Sequence, residues 1–157
     1  MKRKILAVFV IVACVLVIAG RSFNGMMRAG FASSQNQRAI SDKTIQIGGQ
    51  TVHVFVADTP ALRQKGLGGR AGLASDEGML FVFPREGAYA FWMKGMRFSI
   101  DILWLSTDGT LVDMRENVSP DTYPKNFTPK SPARYVVELR AGFVQEHSVR
   151  MGDIVRL

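Results

Sequence analysis

Four side chains lie in sequence motifs that could bind a small ligand. Arg70 lies in the glycine-rich turn Leu-Gly-Gly-Arg-Ala-Gly, where backbone N–H groups beside a guanidinium can bind a carboxylate or phosphate. Trp92 and Lys94 alternate in Phe-Trp-Met-Lys, where an indole could form a wall and an ammonium could pair with an anion. Arg134 opens the apolar stretch Arg-Tyr-Val-Val-Glu-Leu. These residues predict a binding site for a small anionic or carbohydrate-like molecule, or for a partner in the cell envelope.

Two carboxyl groups give an alternative, and a third is expected to be structural. Glu77 or Asp101 could act as the acid or base of a hydrolase or lyase that acts on cell-envelope material. Asp101 could equally be a structural polar group, and Glu138, within an apolar strand, is expected to be structural and bonded to an arginine such as Arg70 or Arg134. Whether the chain is an enzyme stays open at this point.

Metal, thiol and nucleotide chemistry find little support in the sequence. The single cysteine, Cys14, lies within an apolar run, and His53 and His147 have no ligand spacing between them. The glycine-rich turn lacks the Lys-Ser/Thr ending of a phosphate-binding loop. No metal and no cofactor are expected.

The positive charge is concentrated at the start of the chain. Residues 1–41 hold six of the twenty Lys and Arg residues and no acid, so the other fourteen face thirteen acids for a net charge of +1. A domain this close to neutral is not expected to bind nucleic acid.

The first twenty residues have the pattern of a targeting segment. Lys2, Arg3 and Lys4 precede fifteen apolar residues that end before Gly20. Residues 1–20 are therefore predicted to be a signal peptide or a membrane anchor, and the polar, glycine-rich residues 21–42 a flexible linker. The domain, residues 43–157, is expected on the extracytoplasmic side, with membrane contact through the N-terminal segment.

The remaining chain reads as about eight short strands and two short helices. Among these, Gly48-Gly49 predicts the turn of a hairpin, and Thr59-Pro60 predicts the start of a short helix that Gly66 ends. The strands do not alternate regularly with helices, which favours a mainly β domain, an antiparallel sandwich or barrel. Residues 91–105 are predicted to form a hairpin with Lys94 opposite Asp101, because this register sets polar residues against polar ones. The pair could line a pocket with Trp92, or only fix the register at the hairpin end.

Five blocks in this order resemble a family of bacterial and archaeal proteins, domain of unknown function family 192. The blocks, spread over residues 65–143, are Lys-Gly-Leu-Gly-Gly-Arg, Glu-Gly-Met-Leu-Phe-Val-Phe, Phe-Trp-Met-Lys, Ile-Asp-Ile-Leu-Trp-Leu and Ala-Arg-Tyr-Val-Val-Glu-Leu-Arg-Ala-Gly-Phe. The resemblance implies a compact, mainly β, sandwich-like fold, often behind a signal sequence, and no established activity.

The chain departs from the family pattern at two places. The resemblance implies Met where this chain has Gly68, and Asn-Thr where it has Gly95 and Met96. If the family site uses that amide and hydroxyl, the ligand of this member is expected to differ.

Overall fold

The structure is a computed structural model that describes residues 42–157. The predictions for the signal or anchor segment, and for all but the last residue of the linker, lie outside the described residues. The helices and strands are β1 (Asp42–Ile47), β2 (Gln50–Ala57), α1 (Pro60–Lys65), β3 (Glu77–Gly87), β4 (Ile100–Leu105), β5 (Leu111–Val118), a short 3-10 helix (Pro120–Thr122), β6 (Ala133–Arg140) and α2 (Phe143–Glu146). No helix in this part of the chain is both long and apolar enough to cross a membrane.

The strands form one open sheet with the order β1-β2-β3-β6-β4-β5. The mainly β prediction with two short helices is confirmed, but the sandwich or barrel was wrong, because there is a single sheet and β2 pairs with β3 in parallel. All six residues of β4 are buried, so helices and loops cover both of its faces where a sandwich would use a second sheet.

Each face of the sheet carries its own apolar cluster. Face A is covered by Phe143 and Val144 of α2 and by Val149 and Val155 near the C-terminus. Face B packs against Leu62 of α1 and against aromatic and methionine side chains from residues 88–99, here called the 88–99 segment. Each cover therefore combines a short helix with a segment that lies outside the helices and strands.

The first hairpin and the first helix form where the sequence predicts them. Gly48 and Gly49, both at positive φ, connect β1 to β2. Thr59 caps α1 by accepting a hydrogen bond from the Leu62 N–H, Pro60 occupies the first turn, and Gly66 ends the helix at a φ of 50°. This helix makes the crossover that lets β3 lie parallel to β2.

The predicted hairpin of residues 91–105 was wrong. Strand β4 begins only at Ile100 and pairs with β5 and β6, whereas Phe91 forms an isolated bridge with Phe127. Lys94 is exposed in a turn, while Asp101 is fully buried in β4. The polar match that favoured the hairpin failed because Asp101 accepts backbone hydrogen bonds from Asn117 and Val144, while Lys94 is exposed to solvent.

The C-terminal residues connect distant parts of the sheet. Gln46 of β1 and Arg156 exchange backbone hydrogen bonds of 2.9 and 3.0 Å. Val155 N–H donates to Gly109 O in the turn between β4 and β5, at 2.9 Å. The C-terminal segment therefore links β1, at one edge of the sheet, to the turn that precedes β5, at the other edge.

Candidate functional site

A pocket of about 290 Å³ opens on face B between α1 and the 88–99 segment. Helix α1 and the turn after it form one side, and the 88–99 segment forms the other. Its lining combines aromatic rings, three cations and one carboxyl group. The aromatic members are Phe81, Phe83, Tyr89, Phe91 and Trp92.

One wall is a stack of three groups. The rings of Phe83 and Tyr89 are nearly parallel, with centroids 3.6 Å apart. The Arg63 guanidinium lies 5.1 Å from the Phe83 centroid, and its Nη1 donates to Asp58 O and Val82 O at 2.6 and 2.8 Å. Arg63 therefore ties α1 to β3 and holds this wall in place.

The 88–99 segment, which includes Tyr89, is anchored to the sheet and to a neighbouring loop. Trp104 Nε1 donates to Tyr89 O at 3.0 Å, and the backbones of Phe91 and Phe127 exchange hydrogen bonds of 2.9 and 2.8 Å. The Phe91 ring meets those of Phe81 and Trp104 edge-on, with centroids 4.8 and 6.0 Å apart. An irregular segment is thus fixed well enough to shape a binding site.

Trp92 and Lys94 both line the pocket. Trp92 is 49% exposed, and Lys94 is exposed in the turn that Gly95 completes at a φ of 70°. Gly69 N–H donates to Gly95 O at 3.0 Å and ties this turn to the glycine-rich one. The structure therefore brings together two of the four residues predicted to bind a ligand.

Glu138 is the carboxyl group of the pocket. It lies in β6, flanked by Met79 of β3 and Ile102 of β4, and is only 5% exposed. Its Oε2 atom is buried and has no hydrogen-bond partner among the described residues. Burial raises the pKa of this carboxyl group to about 8, since a charge is poorly solvated there. The predicted bond from Glu138 to Arg70 or Arg134 is therefore absent, and this expectation was wrong.

Arg70 and Arg134 do not line the pocket. The Arg70 guanidinium lies 3.8 Å from the ring centroid of Phe55, a stacking contact that fixes the glycine-rich turn to β2. Arg134 lies 5.7 Å from the ring centroid of Tyr135, and its buried Nε has no partner in the described part of the chain. The four predicted binding residues therefore do not form a single site.

The two proposed acid/base residues also lie outside the pocket lining. Glu77 begins β3, and its Oε2 accepts the Ala74 N–H at 3.1 Å. Asp101 is fully buried, and its two oxygens accept the N–H groups of Asn117 and Val144 at 2.8 and 3.0 Å. Since Val144 lies in the first turn of α2, Asp101 serves this helix as a capping group, which is the structural role that the sequence left open.

No group of three His, Cys, Asp or Glu side chains within residues 43–157 lies close enough together to hold a metal ion. The pocket itself offers a single carboxyl group and three cationic side chains, from Arg63, Lys65 and Lys94. This set suits an organic ligand that carries negative charge.

Sequence reasoning missed much of the pocket wall. None of Arg63, Phe83 and Tyr89, which all line the pocket, was among the residues predicted to bind a ligand. A usable signal was present, because aromatic residues flank the polar stretch Pro84–Gly87 on both sides. The uncommon acid within Val-Val-Glu-Leu likewise marked Glu138 as a buried polar group.

Comparison with protein families matches residues 43–157 to DUF192, described as "Uncharacterized ACR". A UPF0127 protein from Thermococcus gammatolerans is 33% identical over 107 residues, and another from Pyrococcus furiosus is 32% identical over 77 residues. These alignments cover 66% and 48% of the chain, and 65% and 63% of the relatives, so the chain spans less than two thirds of their length.

Two solved structures have the same fold. A Sinorhizobium meliloti protein, provisionally described as a transcription regulator, is 31% identical with a TM-score of 0.70, covering 74% of this chain and 94% of its own. A protein of unknown function from Novosphingobium aromaticivorans is 22% identical with a TM-score of 0.73, covering 76% and 88%. The second likeness concerns the fold alone.

Proposed function

The chain belongs to the DUF192 family, and we propose that its domain is a binding module for a small ring-containing ligand with an anionic group. The observation that carries the proposal is the pocket on face B, with aromatic walls and with Trp92 and Lys94 in its lining. A volume of about 290 Å³ corresponds to a small ligand, near the lower end of ordinary ligand sites.

The ring is inferred from the walls. Flat, rigid aromatic side chains favour a flat partner that can lie against them, and both sugar rings and aromatic rings meet this condition. Trp92 is half exposed, so a bound ring could cover apolar surface that water now contacts.

The anionic group is inferred from the two lysines. Arg63 already donates to two backbone carbonyl groups, so its charge is partly committed to the wall. Lys65 and Lys94 are exposed and take part in no salt bridge among the described residues. A carboxylate or phosphate of the ligand could therefore pair with them.

We also propose that the domain lies on the extracytoplasmic side of the membrane, tethered or exported by residues 1–20, where an envelope glycan would be a natural ligand. The support is the charged and apolar pattern of that segment in the sequence. A fusion of the full-length chain to a reporter active only outside the cytoplasm tests this, and an inactive, stably expressed fusion would contradict it.

An enzymatic role receives less support from the geometry. Glycoside hydrolysis generally uses two carboxyl groups on either side of the bond that breaks. The pocket lining contributes one, Glu138, whereas Glu77 and Asp101 lie elsewhere. We therefore favour binding over a hydrolase or lyase.

A role in transcription, as described for the Sinorhizobium meliloti protein, is not part of the proposal. The net charge of +1 over residues 42–157 gives little attraction for a phosphate backbone.

Tryptophan fluorescence of the full-length protein tests the binding proposal. The chain has only two tryptophans, Trp92 at the pocket and the fully buried Trp104, so a ligand on face B should change the Trp92 signal. Glucuronate, a ring with one carboxylate, is the first probe, and Trp92→Phe should abolish the change.

Lys94→Met should weaken glucuronate binding about tenfold or more, because a charge-assisted contact is lost. Lys43→Met, an exposed lysine on β1, is the matched control and should bind like the wild type. Equal weakening in both variants would contradict a specific role for Lys94.

A further inference from the structure

Glu138 occupies the most enclosed polar position of the pocket. Strand β6 lies between β3 and β4, so its side chains on face B project from the middle of the sheet. The side chain is 5% exposed, yet it belongs to the pocket lining. A carboxyl group so placed can reach a ligand while remaining nearly inaccessible to bulk water.

The neighbours of Glu138 do not supply a counter-ion. On face B the flanking strands place Met79 and Ile102 beside it, and Arg134 lies four residues away along β6. The charged or titratable groups that share the pocket lining are Arg63, Lys65, Tyr89 and Lys94. None of these forms a salt bridge or hydrogen bond with Glu138 within residues 43–157.

A buried polar atom without a partner is uncommon in folded proteins, and such an atom in the lining of a pocket marks a candidate functional group. We propose that the Glu138 carboxyl group is the polar anchor of the pocket and binds a hydroxyl group of the ligand. The ligand class is then a hydroxylated ring acid, of which uronic acids are the simplest example. This inference rests on the proposed function.

The chemistry of an uncharged acid supports a hydroxyl partner. A protonated carboxyl group donates one hydrogen bond and accepts others, and a hydroxyl group can accept the first while donating in return. Burial, which raises the pKa of Glu138 to about 8, keeps it in this form at neutral pH. The carboxylate of the same ligand would pair with Lys94 or Lys65.

An amine in place of the hydroxyl would be recognised differently. It would pair, as an ammonium, with an ionised Glu138, so its binding would strengthen as Glu138 loses its proton and weaken again once the amine loses its own. It would also bring a positive charge into a pocket that already contains three cationic side chains. The response of affinity to pH therefore distinguishes the two ligand classes.

The test compares glucuronate, glucose and glucosamine by Trp92 fluorescence in the full-length protein, at about pH 6, at the Glu138 pKa of about 8, and at about pH 9.5. Glucuronate should bind best, and its affinity should fall about tenfold or more at the highest pH, where Glu138 is ionised. Preference for glucosamine, or affinity that rises with pH, would overturn the inference.

Two substitutions complete the test. Glu138→Gln keeps a donor and an acceptor and should bind glucuronate with little pH dependence, whereas Glu138→Met should lose about tenfold or more. Thermal unfolding of each variant establishes that it is folded.

Failure of the anchor role of Glu138 can be distinguished from failure of the proposed binding function. If glucuronate binds but neither substitution nor pH changes its affinity, the anchor role of Glu138 is wrong and the binding function stands. If none of the three sugars changes the Trp92 signal, both are contradicted.

Discussion

At the scale of single residues, the burial of Glu138 lowers the free energy of unfolding at neutral pH. The unfolded chain can ionise this carboxyl group near its ordinary pKa of 4.5, whereas burial in the folded protein raises the pKa to about 8. Between these values the folded state binds a proton that the unfolded state has released, so rising pH favours unfolding. The penalty is absent below the unfolded pKa, grows as the pH rises between the two values, and is complete above the folded pKa.

The free energy of unfolding is therefore expected to fall between about pH 5 and pH 8, by up to about 5 kcal/mol for the shift from 4.5 to about 8. Glu138→Gln should remove most of this slope and be more stable than the wild type above pH 8. Urea denaturation between about pH 5 and about pH 9 measures the free energy of unfolding of both proteins. Glu116→Gln, at an exposed position of β5, should keep the wild-type slope, and parallel curves for Glu138→Gln and the wild type would contradict the prediction.

Asp101, unlike Glu138, is expected to stabilise the fold, since both of its carboxylate oxygens accept backbone hydrogen bonds. Asp101→Asn puts an amide donor against one of two backbone N–H groups and leaves that group unsatisfied, at a cost of about 2 kcal/mol or more. Chemical denaturation at neutral pH provides the measurement. Asp76→Asn, at an exposed position, should change stability by less than about 0.5 kcal/mol. A similar small effect at Asp101 would show that the capping contacts contribute little.

At the scale of elements, local signals and long-range pairing were predictable to different degrees. The Gly48-Gly49 turn and the Thr59-Pro60 helix start are fixed by neighbours in sequence, and both were predicted. Residues 91–105 alternate well enough for a hairpin, but Phe91 bonds to Phe127 instead. Alternation shows that a segment is extended and does not show which strand it pairs with. The pocket was only partly predicted for the same reason, because α1 and the 88–99 segment meet through the tertiary fold.

The turn between β4 and β5 gives a test of the C-terminal segment. A Cβ atom at Gly109 would lie 2.5 Å from Val155 O, and its φ of 86° is strained for other residues. Gly109→Ala should therefore cost about 3 kcal/mol or more, combining strain with the clash. Gly152→Ala has a φ of 89° but no atom within 4 Å, and should cost only about 1 kcal/mol from strain. Thermal or urea unfolding compares the two, and equal losses would mean that the Val155 contact yields easily.

At the scale of the whole molecule, β6 holds the sheet together. It pairs with β3 on one side and with β4 on the other, so it joins β1-β2-β3 to β4-β5. The sequence predicted β6 as a strand but could not place it in the centre, because near-continuous apolar runs occur in β3 and β4 as well. Neighbour order in a sheet depends on contacts between distant residues, which hydrophobic patterns do not specify.

Amide hydrogen exchange should reflect this central position. The amides of Val136, Val137 and Leu139, all fully buried, are expected to exchange only through global unfolding, with protection equal to the free energy of unfolding measured by denaturant. The amides of β5 that point away from β4, at the free edge of the sheet, should exchange faster. Slower exchange in β5 than in β6 would mean that the two parts of the sheet open independently.

The position of β6 also orders events during synthesis. Residues 42–118, which contain the first five strands, are synthesised before β6. Until β6 is present, β1-β2-β3 and β4-β5 have no strand that connects them into one sheet. Contacts between segments so distant in sequence form slowly. Glu138 arrives with this last strand, so the pocket gains its carboxyl group only when the sheet is completed. A complete pocket therefore requires that the whole sheet has been assembled.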